Sequence, residues 1–126
     1  MILKVRGSLE IAHSLPNYEG KCTKLHGHTL NYIFNFKGGV GEDGMVEDFK
    51  SLDRIIKLVI DKYDHTYLND FIDNPTLENF AQDLLFNANN TYSYLKGFGK
   101  RGQFISLEVW ETNKYGLVVT LKDLED

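Results

Sequence analysis

The chain carries four histidines and one cysteine, and three of those histidines fall where strands should end. His26 and His28 are separated by one residue, so an extended segment places both rings on one face. His13 closes the preceding alternating segment on the matching parity. If the two segments pair, three imidazoles converge. Three neutral imidazoles around one cation, with a fourth position left open, form a catalytic zinc arrangement. Imidazole also suits iron, nickel and copper, so zinc is a preference drawn from ligand type. Any one of these histidines alone is better explained by a bond to a backbone carbonyl. Shared parity at strand ends favours a metal.

Other side chains near these positions add chemistry. Cys22 lies four residues before His26 and is flanked by Lys21 and Lys24; nearby cations lower a thiol pKa. Three roles stand open for it: fourth metal ligand, general base beside the metal, or inert buried thiol. A lone cysteine excludes an intrachain disulfide. Asp64 and His65 are adjacent in an irregular segment. They are either a proton-transfer pair or a helix-end histidine beside a solvated aspartate. Glu111 takes an aliphatic slot at a strand end, and an unpaired carboxylate there is costly.

The elements that must position these residues are readable from periodicity. Leu3 to His13 alternates, with Val5, Gly7, Leu9, Ile11 and His13 on the inward parity. Ser14 to Lys24 holds Pro16, Asn17 and Gly20 and reads as a loop. A second strand runs from Leu25 to Phe36, its even positions being His26, His28, Leu30, Tyr32, Phe34 and Phe36. Gly38, Gly39, Gly41 and Gly44 mark a turn. Asp48 is a good helix N-cap, followed by a stripe of Phe49, Leu52, Ile55, Ile56, Val59 and Ile60. Asp64 to Pro75 is irregular. Asn74 or Thr76 caps a second helix with the stripe Leu77, Phe80, Ala81, Leu84, Leu85 and Ala88. A third strand carries Ile105, Leu107, Val109 and Glu111 inward. A fourth, Tyr115 to Leu121, carries Tyr115, Leu117, Val119 and Leu121, and Thr112 to Lys114 is short enough for a hairpin.

The expected order is β-β-α-α-β-β. This is an α+β layout, with a four-stranded antiparallel sheet and two helices on one face. So few strands leave open edges, which favours edge-to-edge association. With 126 residues, the chain is expected to be a single domain over 1–126. It is 42% hydrophobic and 25% charged, enough for a core and a solvated surface. No apolar run is long enough for a membrane span. The first residues read as a strand and not as a leader, so a cytoplasmic location is expected. A net charge of −4 argues against nucleic acid as a bulk electrostatic partner. It leaves room for a small phosphorylated substrate. Lys21, Lys24, Arg54, Lys100 and Arg101 are the cations considered for that role, and none is assigned.

At several points along the chain these residues resemble the 6-pyruvoyltetrahydropterin synthase family. Cys22-Thr23-Lys24-Leu25-His26-Gly27-His28 looks like its cysteine-plus-HGH signature. Ile11-Ala12-His13 resembles its first-strand ligand, and Gly44-Met45-Val46-Glu47-Asp48-Phe49 its segment before the first helix. Asp64-His65-Thr66-Tyr67-Leu68-Asn69 resembles its Asp-His-x-x-Leu-Asn motif. Asn74-Pro75-Thr76-Leu77-Glu78-Asn79 opens the second helix in the family manner, and Trp110-Glu111-Thr112 fits the late Glu-Thr pair. Leu9, Tyr63 and Asn113-Lys114-Tyr115-Gly116 depart from the usual pattern.

The resemblance implies the tunnelling fold, whose subunits join by their sheets into barrels, with homohexamers typical. It implies Zn2+ on His13, His26 and His28, and Cys22 as proton acceptor. Asp64 and His65 would be a relay contributed by a neighbouring subunit. Glu111 would hold the guanidine-like edge of a pterin, with Thr76 and Glu78 lining the pocket. The three-residue spacing between Cys22 and His26 is similar to the 6-carboxytetrahydropterin synthases of the deazapurine (queuosine) pathway. The expected reaction converts 7,8-dihydroneopterin triphosphate to 6-carboxytetrahydropterin, acetaldehyde and triphosphate. The alternatives are 6-pyruvoyltetrahydropterin synthesis, dihydroneopterin cleavage for folate, and a non-catalytic zinc or pterin binder.

Overall fold

The computed structural model describes residues 1–20 and 24–125. Cys22, and with it Lys21, lies outside the described residues. Strand β1 is Ile2–His13 and β2 is His26–Gly38. They pair antiparallel along their length, from Ile2 opposite Lys37 to His13 opposite His26. Helix α1 is Phe49–Tyr63 and α2 is Leu77–Lys96. Between them a short strand β3, Thr66–Tyr67, runs parallel to β1 at Ile11 and Ala12. Strands β4, Gly102–Trp110, and β5, Gly116–Thr120, complete the sheet. Its order is β3-β1-β2-β4-β5.

The expected α+β layout with two helices holds, but the sheet has five strands and is mixed. The addition is β3, in the segment read as irregular. Two residues carry no periodic signal, and they extend only because β1 offers an unpaired edge.

Caps explain the helix starts. Asp48 accepts from the Lys50 N–H at 2.9 Å, and Thr76 Oγ1 accepts from the Asn79 N–H at 3.1 Å. Each satisfies a backbone donor that has no partner within the helix. The α1 stripe of Leu52, Ile55, Ile56, Val59 and Ile60 is buried. Phe49 was expected with it but is 56% exposed. It is the first helical residue and sits at the rim, near Lys4, Val5 and Arg6. The α2 stripe from Phe80 to Ala88 is buried and continues to Tyr92.

The parity of the third strand is corrected near its start. Asn35 pairs with Ser106 but Phe36 pairs with Phe104, so Ile105 is an extra residue on β4. This bulge reverses the alternation. Phe104 turns inward to 0% exposure, while Ile105 is only half-buried. Leu107 and Val109 keep their inward places. At the end of the chain β5 stops at Thr120, and Leu121 belongs to a short 3-10 turn. Tyr115 is exposed, because the preceding turn folds it away from the sheet.

The core lies between the helices and one sheet face. It holds Leu9, Ile11, Leu30, Phe34, Phe36, Phe104 and Leu107 from the strands. Phe36, Tyr92 and Phe104 stack edge to face, with Phe36 to Tyr92 centroids 5.0 Å apart, a geometry that adds to simple area burial. The opposite face carries Lys4, Arg6, Ser8, Glu10, Thr29, Asn31 and Val118, all exposed. No helix among the described residues is long and apolar enough to cross a membrane.

Candidate metal centre

The β1–β2 register sets the site. His13 stands opposite His26 and Ile11 opposite His28, so all three rings leave one face at one end of the ladder. Ring centroids are 4.5 Å apart for His13 and His26, 5.1 Å for His13 and His28, and 4.7 Å for His26 and His28. One ring nitrogen from each lies within 4.8 Å of the others.

Backbone bonds decide which nitrogen is free. His13 Nδ1 lies 2.7 Å from the Pro75 carbonyl, and His26 Nδ1 lies 2.7 Å from the Lys24 carbonyl. A carbonyl oxygen only accepts, so both Nδ1 atoms carry the proton and donate. Their Nε2 atoms are then bare acceptors. His13 Nε2 and His28 Nε2 are buried with no hydrogen-bond partner among the described residues. Buried polar atoms are rarely left that way. A cation held between the rings satisfies both, and a ring N–H donated to a backbone carbonyl is the usual support for a metal-bound imidazole. The donor set fits a metal ion.

Electrostatics agree. Burial pushes the His13 imidazole below its ordinary value, against the Pro75 carbonyl that supports its protonated form. The other two rings push it the same way as burial. Burial likewise lowers His28, against the pull of Glu111. Neutral rings at neutral pH are what a metal requires.

The strand that carries His13 is braced by the segment between the helices. The Asp64 carboxylate accepts the Glu10 N–H at 2.8 Å, and the His65 N–H donates to the Glu10 carbonyl at 2.6 Å. Asn69 accepts the Ser14 N–H at 3.0 Å and donates to the Ser14 carbonyl at 2.9 Å. These bonds bracket His13 on both sides. The role of Asn69 was missed at the level of residue type. Its place in the Asp-His-x-x-Leu-Asn stretch was the only signal.

The remaining candidates divide. Glu111 joins the triad, its Oε1 3.4 Å from His28 Nε2. It lines one small recess with His13, His28, Pro75 and Thr76. Glu78 lies in a separate groove with Gln82, Leu117 and Asp123. Asp64 and His65 do pair, Oδ1 to Nδ1 at 3.1 Å. Within one chain they stand apart from the triad, at the β3 edge, with the His65 side chain 76% exposed. His65 has φ 61°, a left-handed backbone rare outside glycine and typical of functional or turn positions. Of the cations, Arg101 is engaged by Asp43 through two bonds of 2.8 and 2.7 Å.

Comparison with known proteins gives this geometry a lineage. A putative 6-carboxy-5,6,7,8-tetrahydropterin synthase of Archaeoglobus fulgidus is 46% identical over 81 residues, 64% of this chain and 70% of that protein. The 6-carboxy-5,6,7,8-tetrahydropterin synthase of Synechocystis is 43% identical over 59% of this chain and 64% of its own length. A dihydroneopterin monophosphate aldolase of Pyrococcus furiosus is 33% identical over 89% of this chain and 90% of its own. The 6-pyruvoyl tetrahydropterin synthase of Caenorhabditis elegans shares the fold, with TM-score 0.82 and 22% identity, covering 95% of this chain and 94% of that one. The family model for 6-pyruvoyl tetrahydropterin synthase matches residues 2–122. That span takes in the strands of the histidine triad, the Asp64–Asn69 brace and Glu111 alike, and the chain belongs to the 6-pyruvoyl tetrahydropterin synthase family.

Proposed function

We propose that the protein is a zinc-dependent 6-carboxy-5,6,7,8-tetrahydropterin synthase of the deazapurine (queuosine) pathway. The observation that carries an enzymatic reading is the pair of buried Nε2 atoms of His13 and His28, without partners among the described residues and beside a carboxylate. The names of the Archaeoglobus and Synechocystis relatives support the carboxy product, as does the short spacing from Cys22 to His26.

In this reading His13, His26 and His28 hold Zn2+. The ion supplies Lewis acidity to the side-chain hydroxyls of 7,8-dihydroneopterin triphosphate. Glu111 accepts two parallel hydrogen bonds from the guanidine-like edge of the pterin. Thr76 lines the pocket from the recess, and Glu78 reaches the substrate from the separate groove it shares with Gln82. Cys22, as thiolate, takes a proton from the substrate side chain. His65, oriented by Asp64, returns one elsewhere. Triphosphate leaves, one water is consumed, and carbon–carbon cleavage releases acetaldehyde from the 6-carboxy product. A positioned base contributes roughly 10²–10⁴-fold, so Cys22→Ala loses turnover by that order while still binding zinc.

The exposed reach of His65 supports a relay that serves a neighbouring copy. The uncovered sheet face and the open edges at β3 and β5 support closure of several copies into a barrel, with a homohexamer as the assembly and the cytoplasm as its compartment. One incubation tests the reaction: the zinc-loaded protein with dihydroneopterin triphosphate, products read by mass. Acetaldehyde with the carboxypterin upholds the proposal. A second reading, dihydroneopterin cleavage, draws on the Pyrococcus aldolase relative that aligns across most of the chain; glycolaldehyde release would select it. A pyruvoyl product would select the sister synthase, and saturable pterin binding without product a non-catalytic binder.

A further inference from the structure

Glu111 sits at an unusual distance from His28. At 3.4 Å its Oε1 faces a ring nitrogen that makes no hydrogen bond among the described residues. Two such atoms have a reason to approach when both are donors to the same cation. A tetrahedral ion with bonds of about 2.0–2.1 Å holds neighbouring donors about 3.4 Å apart. The carboxylate comes from the residue just past β4, on the inward parity of Leu107 and Val109, and it shares the recess of His13 and His28. Its backbone is fixed, because the Glu111 N–H donates to the Tyr115 carbonyl at 2.9 Å. Its side chain is 33% exposed. Among the described residues the three imidazoles form the close donor group. Glu111 stands beside them on the His28 side.

We propose that Glu111 is a fourth, displaceable metal ligand in the substrate-free protein. It rotates onto the open coordination position when the pocket is empty and withdraws when a pterin claims its oxygens. The carboxylate thus closes the metal site at rest and opens it on binding. This rests on the metal-centre reading above and adds a resting-state role for Glu111.

Cobalt(II) is the probe. Chelator-stripped protein is titrated with Co2+ in the absence of any pterin, and visible absorption reports ligand number and affinity. Wild type is expected to bind with an intense four-coordinate band. Glu111→Gln is expected to lose affinity about 10- to 100-fold and to shift that band. Glu111→Asp, which keeps a shorter carboxylate, should fall between them. Neopterin, a non-reacting pterin with side-chain hydroxyls, should shift the wild-type band as the carboxylate leaves. An unchanged band and affinity in a folded Glu111→Gln variant, with cobalt lost from His13→Ala, would overturn the ligand role and leave the metal centre standing. No cobalt bound to wild type would overturn both.

Discussion

Asn69 grips Ser14 by both of its backbone groups, accepting the N–H at 3.0 Å and donating to the carbonyl at 2.9 Å. Ser14 directly follows His13, so this amide fixes the end of the strand that brings His13 to the imidazole triad. Removing it strands two half-buried backbone groups at about 1–3 kcal/mol each before water rescues them. Asn69→Ala is therefore expected to weaken metal affinity, read by competition with a chromophoric chelator. Asn69→Asp keeps only the acceptor and should recover part of the loss. A drop in melting temperature with unchanged affinity would make the bond merely structural.

The triad predicts linkage between metal and stability. A ligand that binds only the folded state at 100 times its Kd stabilises by about 2.7 kcal/mol. Zinc at that excess should raise the urea midpoint of the stripped protein accordingly. His26→Ala, which leaves two imidazoles, should show almost no zinc-dependent shift under the same conditions.

The opposite end of the sheet predicts an acid transition. Glu47 is 4% exposed. Its carboxylate accepts from the Tyr92 hydroxyl at 2.7 Å, from the Asp48 N–H at 2.9 Å and from Lys96 at 3.3 Å. Burial pushes this carboxyl up, but those donors outweigh it and hold it below its ordinary value. A folded value below the unfolded one stabilises above the unfolded pKa, and the gain is lost as pH falls through the folded value. Urea melts from pH 7 down to pH 3 should show that loss below about pH 4.5. Glu47→Gln should flatten this part of the profile and Glu47→Ala should cost about 1–3 kcal/mol at pH 7. Tyr92, pushed up to about 12 chiefly by burial, stays a donor throughout.

Gly102 predicts a steric limit. A Cβ there would run into the Lys37 carbonyl oxygen, and a backbone atom in a paired strand cannot step aside. Gly102→Ala should destabilise by more than the about 1–3 kcal/mol typical of overpacking. Chemical denaturation measures it, and Gly39→Ala, which meets nothing within 4 Å, is the matched control.

Much of the candidate site was legible because strand parity is a period-two code. His13, His26 and His28 had to share a face once the two strands turned their apolar sides to the same core, which fixes the parity of the register. Caps and helical stripes were equally local, so Asp48, Thr76 and the buried faces of α1 and α2 followed from spacing. The extra residue at Ile105 was not legible. A bulge changes no composition, and only the pairing with β2 exposes it. The two residues of β3 were hidden for a related reason, since an edge they join lies more than fifty residues away in the chain.

By itself, then, the order of residues determined the three imidazoles of the triad, the face they share and the family to which the chain belongs. Tertiary structure decided which nitrogen of the His13 and His26 rings is free, because the Pro75 and Lys24 carbonyls settle it. It also decided that Glu111 meets His28 while His65 faces solvent. Local periodicity assigns a side chain to a face. Whether two faces meet, and at what distance, depends on contacts between segments far apart in sequence, which only the folded chain brings together.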